Sequence, residues 1–320
     1  MDPATAPAND SDTAADRHWK SWGTRAADAC IYGNYFLGLC AVAQVIETAA
    51  LLRLPQGNVW LLNFVFAGTV LFYTYPYVRR GPGVDGNLRT QWYRRHFGFV
   101  CSSQIFLTLW LMVSAAAFYG TYHLAIKKME LAEWGLLAVF PLISAFYYGG
   151  RFLSYGFNLR RVGWLKPFII GFAWAGLTLV YPILFSRIQY GHHLALTWFP
   201  FMLFLKSFMF VSMLAILFDI KDRAVDVESG LDTWVVRFGL RRTLFSVSLP
   251  LTVLGVLTFL TYAMARGFSI PRMALVLIPF VLLMLAILSL RKPRSLLYYL
   301  VVIDGLMLAK GLFGIAAAAF

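Results

Sequence analysis

Residues 194–218 read LALTWFPFMLFLKSFMFVSMLAILF, and residues 219–226 continue as DIKDRAVD. A helix needs about 20 apolar residues to cross the hydrocarbon core of a bilayer, and the first segment satisfies this with Lys206 as its one charge. The second segment changes character at once. Its carboxylates Asp219, Asp222 and Asp226 fall at i, i+3 and i+7, which on an α-helix places them within about 60° of arc and along about 10 Å of axis. They therefore line one polar face at a membrane boundary. Hard cations such as Mg²⁺ take oxygen ligands from one or two carboxylates together with substrate phosphates, so the spacing suits a metal–diphosphate site. It also suits a solvated helix start in which Arg223 pairs with Asp219 and with Asp226.

The rest of the chain repeats the apolar character of that first segment. Hydrophobic residues make up 60% of 320 and charged residues 13%, with a mean hydropathy of +0.68; a soluble domain cannot hide that much apolar surface. Runs of spanning length lie around residues 30–52, 57–77, 97–120, 131–150, 163–185, 194–218, 243–265, 271–290 and 295–318, which predicts an all-α integral membrane protein of nine transmembrane helices. Basic residues orient it. With the N-terminus cytoplasmic, only Arg53, Lys127, Lys128, Arg187, Arg266 and Arg272 of the 28 Lys and Arg fall in outer loops; Lys206 and Lys310 fall inside spans, and all the others face the cytoplasm. The positive-inside rule then predicts a protein of the inner (cytoplasmic) membrane with its N-terminus inside and its C-terminus outside.

Topology and the anionic lipid surface account for the net charge of +13, so no nucleic-acid partner is called for. Residues 1–28, rich in Ala, Asp and Thr, read as a disordered cytoplasmic tail and not as a cleaved signal peptide; residues 29–320 read as the transmembrane domain. The loops with room for chemistry, 78–96, 151–162 and 219–242, all lie on the inner side. Cys30, Cys40 and Cys101 lack C-x-x-C spacing, and His192-His193 has no third ligand in view, so neither a disulfide framework nor a zinc site is expected. Nucleotide-binding and hydrolase motifs such as Walker A, H-E-x-x-H and G-x-S-x-G are absent from the sequence.

The stretch FDIKDRAVDVESGLDTWVVRFG at 218–239, with Asp219, Asp222, Asp226, Gly230 and Thr233 in register, resembles the second Asp-rich motif of the UbiA superfamily of intramembrane prenyltransferases. Tyr155 followed by Arg160-Arg161, with Gly171 beyond, resembles a second signature of that family, one residue longer than its usual form. The resemblance covers roughly residues 30–318. It implies a nine-helix bundle in which Asp219, Asp222 and Asp226 hold Mg²⁺ and an isoprenyl diphosphate is bound with help from Tyr155, Arg160, Arg161 and Lys221. The family's first Asp-rich motif, N-D-x-x-D-x-x-x-D, is missing: with Gly68 as anchor, Phe72, Tyr73, Pro76 and Arg80 stand at its positions.

That gap leaves three outcomes. Arg79 and Arg80 take over charge compensation through bidentate phosphate contacts, giving a prenyltransferase with fewer metal ions and an acceptor that the sequence does not identify. Alternatively, the diphosphate ionises without an acceptor and the cation closes on itself, as in terpene cyclases of this scaffold. Or the site is vestigial, and the protein binds or transports a lipid without turning it over. Prenyl transfer is the primary expectation.

Four charges lie within the apolar phase, Glu47, Lys206, Asp304 and Lys310, and each needs a partner or a wet cavity, because a charge at mid-bilayer costs about 2.5–3.5 kcal/mol. Lys206 lies about 20 Å along its helix from Asp219, too deep for a phosphate head group and better suited to Glu47 or Asp304. Among the abundant aromatics, Phe72, Tyr73, Tyr75 and Tyr147-Tyr148 are near the depth at which they would line an isoprenoid tunnel, with lipid contact and core packing as the alternatives.

Overall fold

The computed structural model describes residues 22–55, 58–80, 88–148, 162–191 and 197–320, and no strand occurs among them. The helices are α1 (Trp22–Tyr32), α2 (Tyr35–Leu51), α3 (Val59–Arg80), α4 (Leu88–Arg95), α5 (Phe97–Lys127), α6 (Leu131–Tyr148), α7 (Lys166–Tyr190), α8 (Trp198–Glu228), α9 (Trp234–Ala265), α10 (Ile270–Ser289) and α11 (Leu296–Ala317). Among the described residues seven of these, α3, α5 and α7 to α11, are long and apolar enough to cross a membrane. The α1–α2 pair makes an eighth if it counts as one span bent by 66°, and Leu131–Tyr147 in α6 is apolar but shorter. The bend falls at Asn34, whose φ of 66° is left-handed, a conformation that Asn tolerates better than other side chains.

Helix α1 begins at Trp22, inside the stretch expected to be a tail. Ala29 and Tyr32 seat it against Trp92, Tyr93 and Leu300, and once a turn is fixed the helix propagates back along the chain at little further cost. Three helices contain π-helical segments, Gly176–Val180 in α7, Thr243–Ser248 in α9 and Tyr299–Ile303 in α11. Each widens the helix locally and resets the angular register of the residues beyond it.

The core gathers around α8, whose Phe210, Met213, Leu214, Ile216 and Leu217 are buried. Lipid offers no hydrophobic drive between helices, so close backbone approach has to supply the packing. Gly171 permits it between α7 and α8, where a Cβ would meet Ser212 and the Phe208 carbonyl, and Gly311 permits it between α11 and α2, where a Cβ would lie 2.8 Å from Ala43.

The intramembrane charges find one another. Glu47 on α2 accepts from Lys206 on α8 at 3.0 Å and from Lys310 on α11 at 2.5 Å, and Lys310 also reaches Gln44 Oε1 at 3.4 Å. The three ionic side chains are no more than 6% exposed. One carboxylate thus ties three spans together, and two ammonium groups depend on it. Removing it strands both, whereas removing Lys310 leaves the Glu47–Lys206 pair intact. Loss of one partner from a buried pair costs about 3–5 kcal/mol, so Glu47→Gln should destabilise the protein by that amount and Lys310→Met by clearly less. Thermal unfolding in micelles reads the difference; equal loss would show that the two lysines do not share the carboxylate.

The orientation expected from the basic residues is tested at two exposed positions, Lys128 and Ser229. In a background lacking Cys30, Cys40 and Cys101, an impermeant maleimide should label Lys128→Cys in intact cells and Ser229→Cys only after permeabilisation. The reverse pattern would overturn the assignment.

Candidate functional site

Helix α8 continues through Glu228, so the carboxylate stretch stays helical and Asp219, Asp222 and Asp226 share a face as their spacing requires. Their partners differ from those expected. Lys166, the first residue of α7, donates to Asp219 Oδ1, and Lys221 bonds both oxygens of Asp222 at 2.6 Å. Arg223 is exposed and pairs with neither Asp219 nor Asp226. Asp219 and Asp226 are buried at 1% and 5% exposure.

A cavity of about 470 Å³ opens beside this face. Among the described residues its charged lining consists of Arg89, Lys166 and Lys221 against Asp219, Asp222 and Asp304. Arg89, on α4, donates to Asn34 Oδ1 and lies over the Tyr77 ring, 5.1 Å from its centroid. Tyr77 in turn stacks on Tyr93 at 4.1 Å. Asn34 Nδ2 bonds Thr74 Oγ1 at 3.0 Å and the Tyr93 hydroxyl at 3.1 Å, so the bend between α1 and α2 also holds α3 and α4. Burial pushes the Tyr93 phenol up, which keeps it a neutral member of that network.

A second cavity of about 300 Å³ adjoins the first, and the two share Tyr73, Tyr147, Ile170 and Trp174. Its walls are apolar and aromatic, including Phe64, Phe72, Phe140 and Tyr181. Trp174 Nε1 donates to the Tyr73 hydroxyl at 2.7 Å, fixing two rings where the chambers meet. Both chambers are cut into the helix face that the missing first motif would occupy: Phe72 and Tyr73 line the apolar one, and Tyr73 and Pro76 the charged one.

Asp219 Oδ2 and Asp226 Oδ2 are buried without a close hydrogen-bond partner, with the Thr233 hydroxyl beside Asp226. Hard oxygen donors left in this way suit a divalent cation such as Mg²⁺. Among the described residues, however, no three His, Cys, Asp or Glu side chains come together closely enough to hold a metal ion, and Asp226 does not line the cavity. The described residues alone do not complete a coordination shell.

Of the remaining residues expected at the site, Lys221 lines the cavity. Arg79 is exposed over the Tyr75 ring at 5.8 Å and lies outside the lining. Tyr155, Arg160, Arg161 and the side chains of Arg80 and Tyr148 lie outside the described residues. Three charged lining residues were not expected there: Lys166 and Arg89, counted in the sequence only as inner-loop cations, and Asp304, read only as a charge in need of a partner.

No protein-family model matches the sequence, and no curated protein matches it. The structure matches that of a digeranylgeranylglyceryl phosphate synthase, a UbiA-family prenyltransferase, with a TM-score of 0.52 and 14% identity over 89% of this chain and 98% of that chain. At that identity the likeness is one of fold: the chain has an all-α bundle of the UbiA type, with seven or eight membrane-length helices among the described residues where the sequence reading counted nine.

The Lys166–Asp219 pair should behave as a buried one. Lys166→Met is expected to destabilise the protein by about 3 kcal/mol, the lower end for a broken buried pair, because Lys166 is 16% exposed. Adding Asp219→Asn should restore much of the loss. A single variant as stable as the parent in thermal unfolding would show that Asp219 does not depend on Lys166.

Proposed function

We propose that this protein is a prenyltransferase of the cytoplasmic membrane, one that takes a polyprenyl diphosphate with Mg²⁺ and passes its prenyl group to an acceptor. One observation carries this reading: an aromatic, apolar chamber adjoins a charged one across the Tyr73–Trp174 contact. An amphiphile with an isoprenoid tail and a multiply charged head matches both chambers at once. The fold likeness supports it in kind, since the similar protein is by name a synthase of a geranylgeranylated glyceryl phosphate.

In transfer, the C–O bond of the allylic diphosphate breaks and its electron pair leaves with the diphosphate. The acceptor's nucleophile then bonds to the freed carbon and gives up its proton. Lys166, Lys221 and Arg89 contribute charge-assisted contacts to the departing oxygens, and the family resemblance assigns the same task to Arg160, Arg161 and Tyr155. Arg89 stands against the α3 wall that lacks carboxylates and takes the role expected of Arg79 and Arg80. The faces of Tyr73, Trp174 and Phe72 flank the carbon that becomes cationic, and the apolar walls keep out water that would quench it. Asp219, Asp222 and Asp226 are the residues that would hold Mg²⁺, which would supply further positive charge to the diphosphate.

The test is to incubate purified protein and Mg²⁺ with geranyl, farnesyl or geranylgeranyl diphosphate, with and without a membrane-lipid extract as acceptor source. Prenylated product only with extract is the expected result. Hydrocarbon or alcohol without extract would indicate cyclisation. Neither binding nor diphosphate release would leave a non-catalytic lipid-binding relative as the better account. Asp222→Asn, which removes a proposed direct ligand, should lower Mg²⁺-dependent release by at least the roughly 10–100-fold seen when a ligand's outer-shell partner is lost, yet leave the fold intact, since its partly exposed pair with Lys221 is worth about 1 kcal/mol.

A further inference from the structure

A third cavity, of about 800 Å³, shares no lining residue with the two described above. It is lined by Leu240, Arg241, Arg242, Leu244, Phe245, Ser246 and Arg291. Two separate parts of the chain build it, the start of α9 and the residues just past α10. Gly239, with φ 77°, breaks α9 immediately before Leu240, in a conformation that side-chain-bearing residues rarely adopt.

The charge here is arranged differently from the charge around Asp219. Arg241, Arg242 and Arg291 are exposed; the lining contains no carboxylate, and none of the three forms an ion pair among the described residues. Each guanidinium stays charged at every working pH and presents a planar fork suited to two phosphate oxygens. Leu240 and Phe245 supply apolar wall beside the charge, with Leu244 buried behind them, and Arg291 lies over the Phe245 ring, 4.6 Å from its centroid. The groove lies at the ends of two membrane-length helices, on the side that the basic residues assign to the cytoplasm. Anionic phospholipid presents its phosphate at that depth, next to apolar acyl chains.

We infer that Arg241, Arg242 and Arg291 form a binding site for the phosphodiester head group of an anionic phospholipid, with Leu240 and Phe245 receiving the upper acyl chain. The site is separate from the proposed reaction and holds the stretch of α9 just beyond Gly239 to the membrane surface. A free phosphate has no use for the apolar wall, and a zwitterionic lipid brings a choline cation toward three arginines.

Detergent-solubilised full-length protein is titrated with short-chain phosphatidylglycerol, phosphatidylcholine or inorganic phosphate, following the unfolding temperature and lipid retention in native mass spectrometry. Saturable stabilisation and retention with phosphatidylglycerol alone is the expected result. Affinity should fall at least tenfold in Arg241→Gln/Arg242→Gln/Arg291→Gln, and in Arg291→Gln alone by a smaller factor, so the single variant serves if the triple does not purify. Arg266→Gln/Arg272→Gln removes charge from the opposite side and should leave affinity unchanged. Equal response to phosphatidylcholine, equal response to inorganic phosphate, unchanged affinity in the groove variants, or equal loss in the opposite-side variant would each overturn the assignment. These readouts require no turnover, so the result stands apart from the success or failure of the prenyltransferase reading.

Discussion

Lys166, the first residue of α7, meets Asp219 where the apolar stretch of α8 gives way to its carboxylate face, and the charged chamber is arranged around that contact. A carboxylate at the end of an apolar helix does not stay ionised without a cation or water. Lys166 fills that need for one oxygen, leaves the other without a partner, and fixes the register of α7 against α8. Trp174 lies eight residues further along α7, about 12 Å by helical rise, and that register brings its indole to the Tyr73 hydroxyl. The same ion pair thus sets the charge of one chamber and the doorway of the next.

Glu47 answers the same physical problem in a different way. Its two lysines satisfy both oxygens, and none of the three described cavities reaches the carboxylate. Asp219 and Asp222 are also paired with lysines, yet they line an open chamber. Both clusters are strings of charge in apolar surroundings when viewed as sequence. Space beside the charge separates the structural cluster from the chemical one, and space is a property of the assembled bundle.

That distinction explains what the sequence made legible. The apolar runs, the helical face of Asp219, Asp222 and Asp226, the pairing of Lys206 with Glu47 and the place of Phe72 and Tyr73 beside a cavity all follow from local periodicity and from the cost of an unpaired charge. Arg89 and Lys166 were not legible as site residues, because nothing local separates them from the other inner cations. Arg89 becomes one through a bend at Asn34, a positive-φ residue whose amide reaches two further helices. Lys166 becomes one because Gly171 lets α7 lie close on α8. Arg79, adjacent in sequence to the missing motif, faces outward over Tyr75 instead, since the helix carries it round to the exposed side.

The π-helical segment at Tyr299–Ile303 makes the length of α11 a constraint in its own right. Asp304, which lines the charged chamber, and Lys310, which bonds Glu47, both come after it on the same helix. Deleting one residue from that segment would turn everything beyond it by about 100° relative to Leu296–Tyr298. Asp304 would leave the chamber and Lys310 would leave Glu47 in the same step, with no side chain substituted. Insertions and deletions in this short stretch are therefore far more disruptive than exchanges, and the reading frame of the helix, as much as its composition, ties the chamber to the bundle's interior.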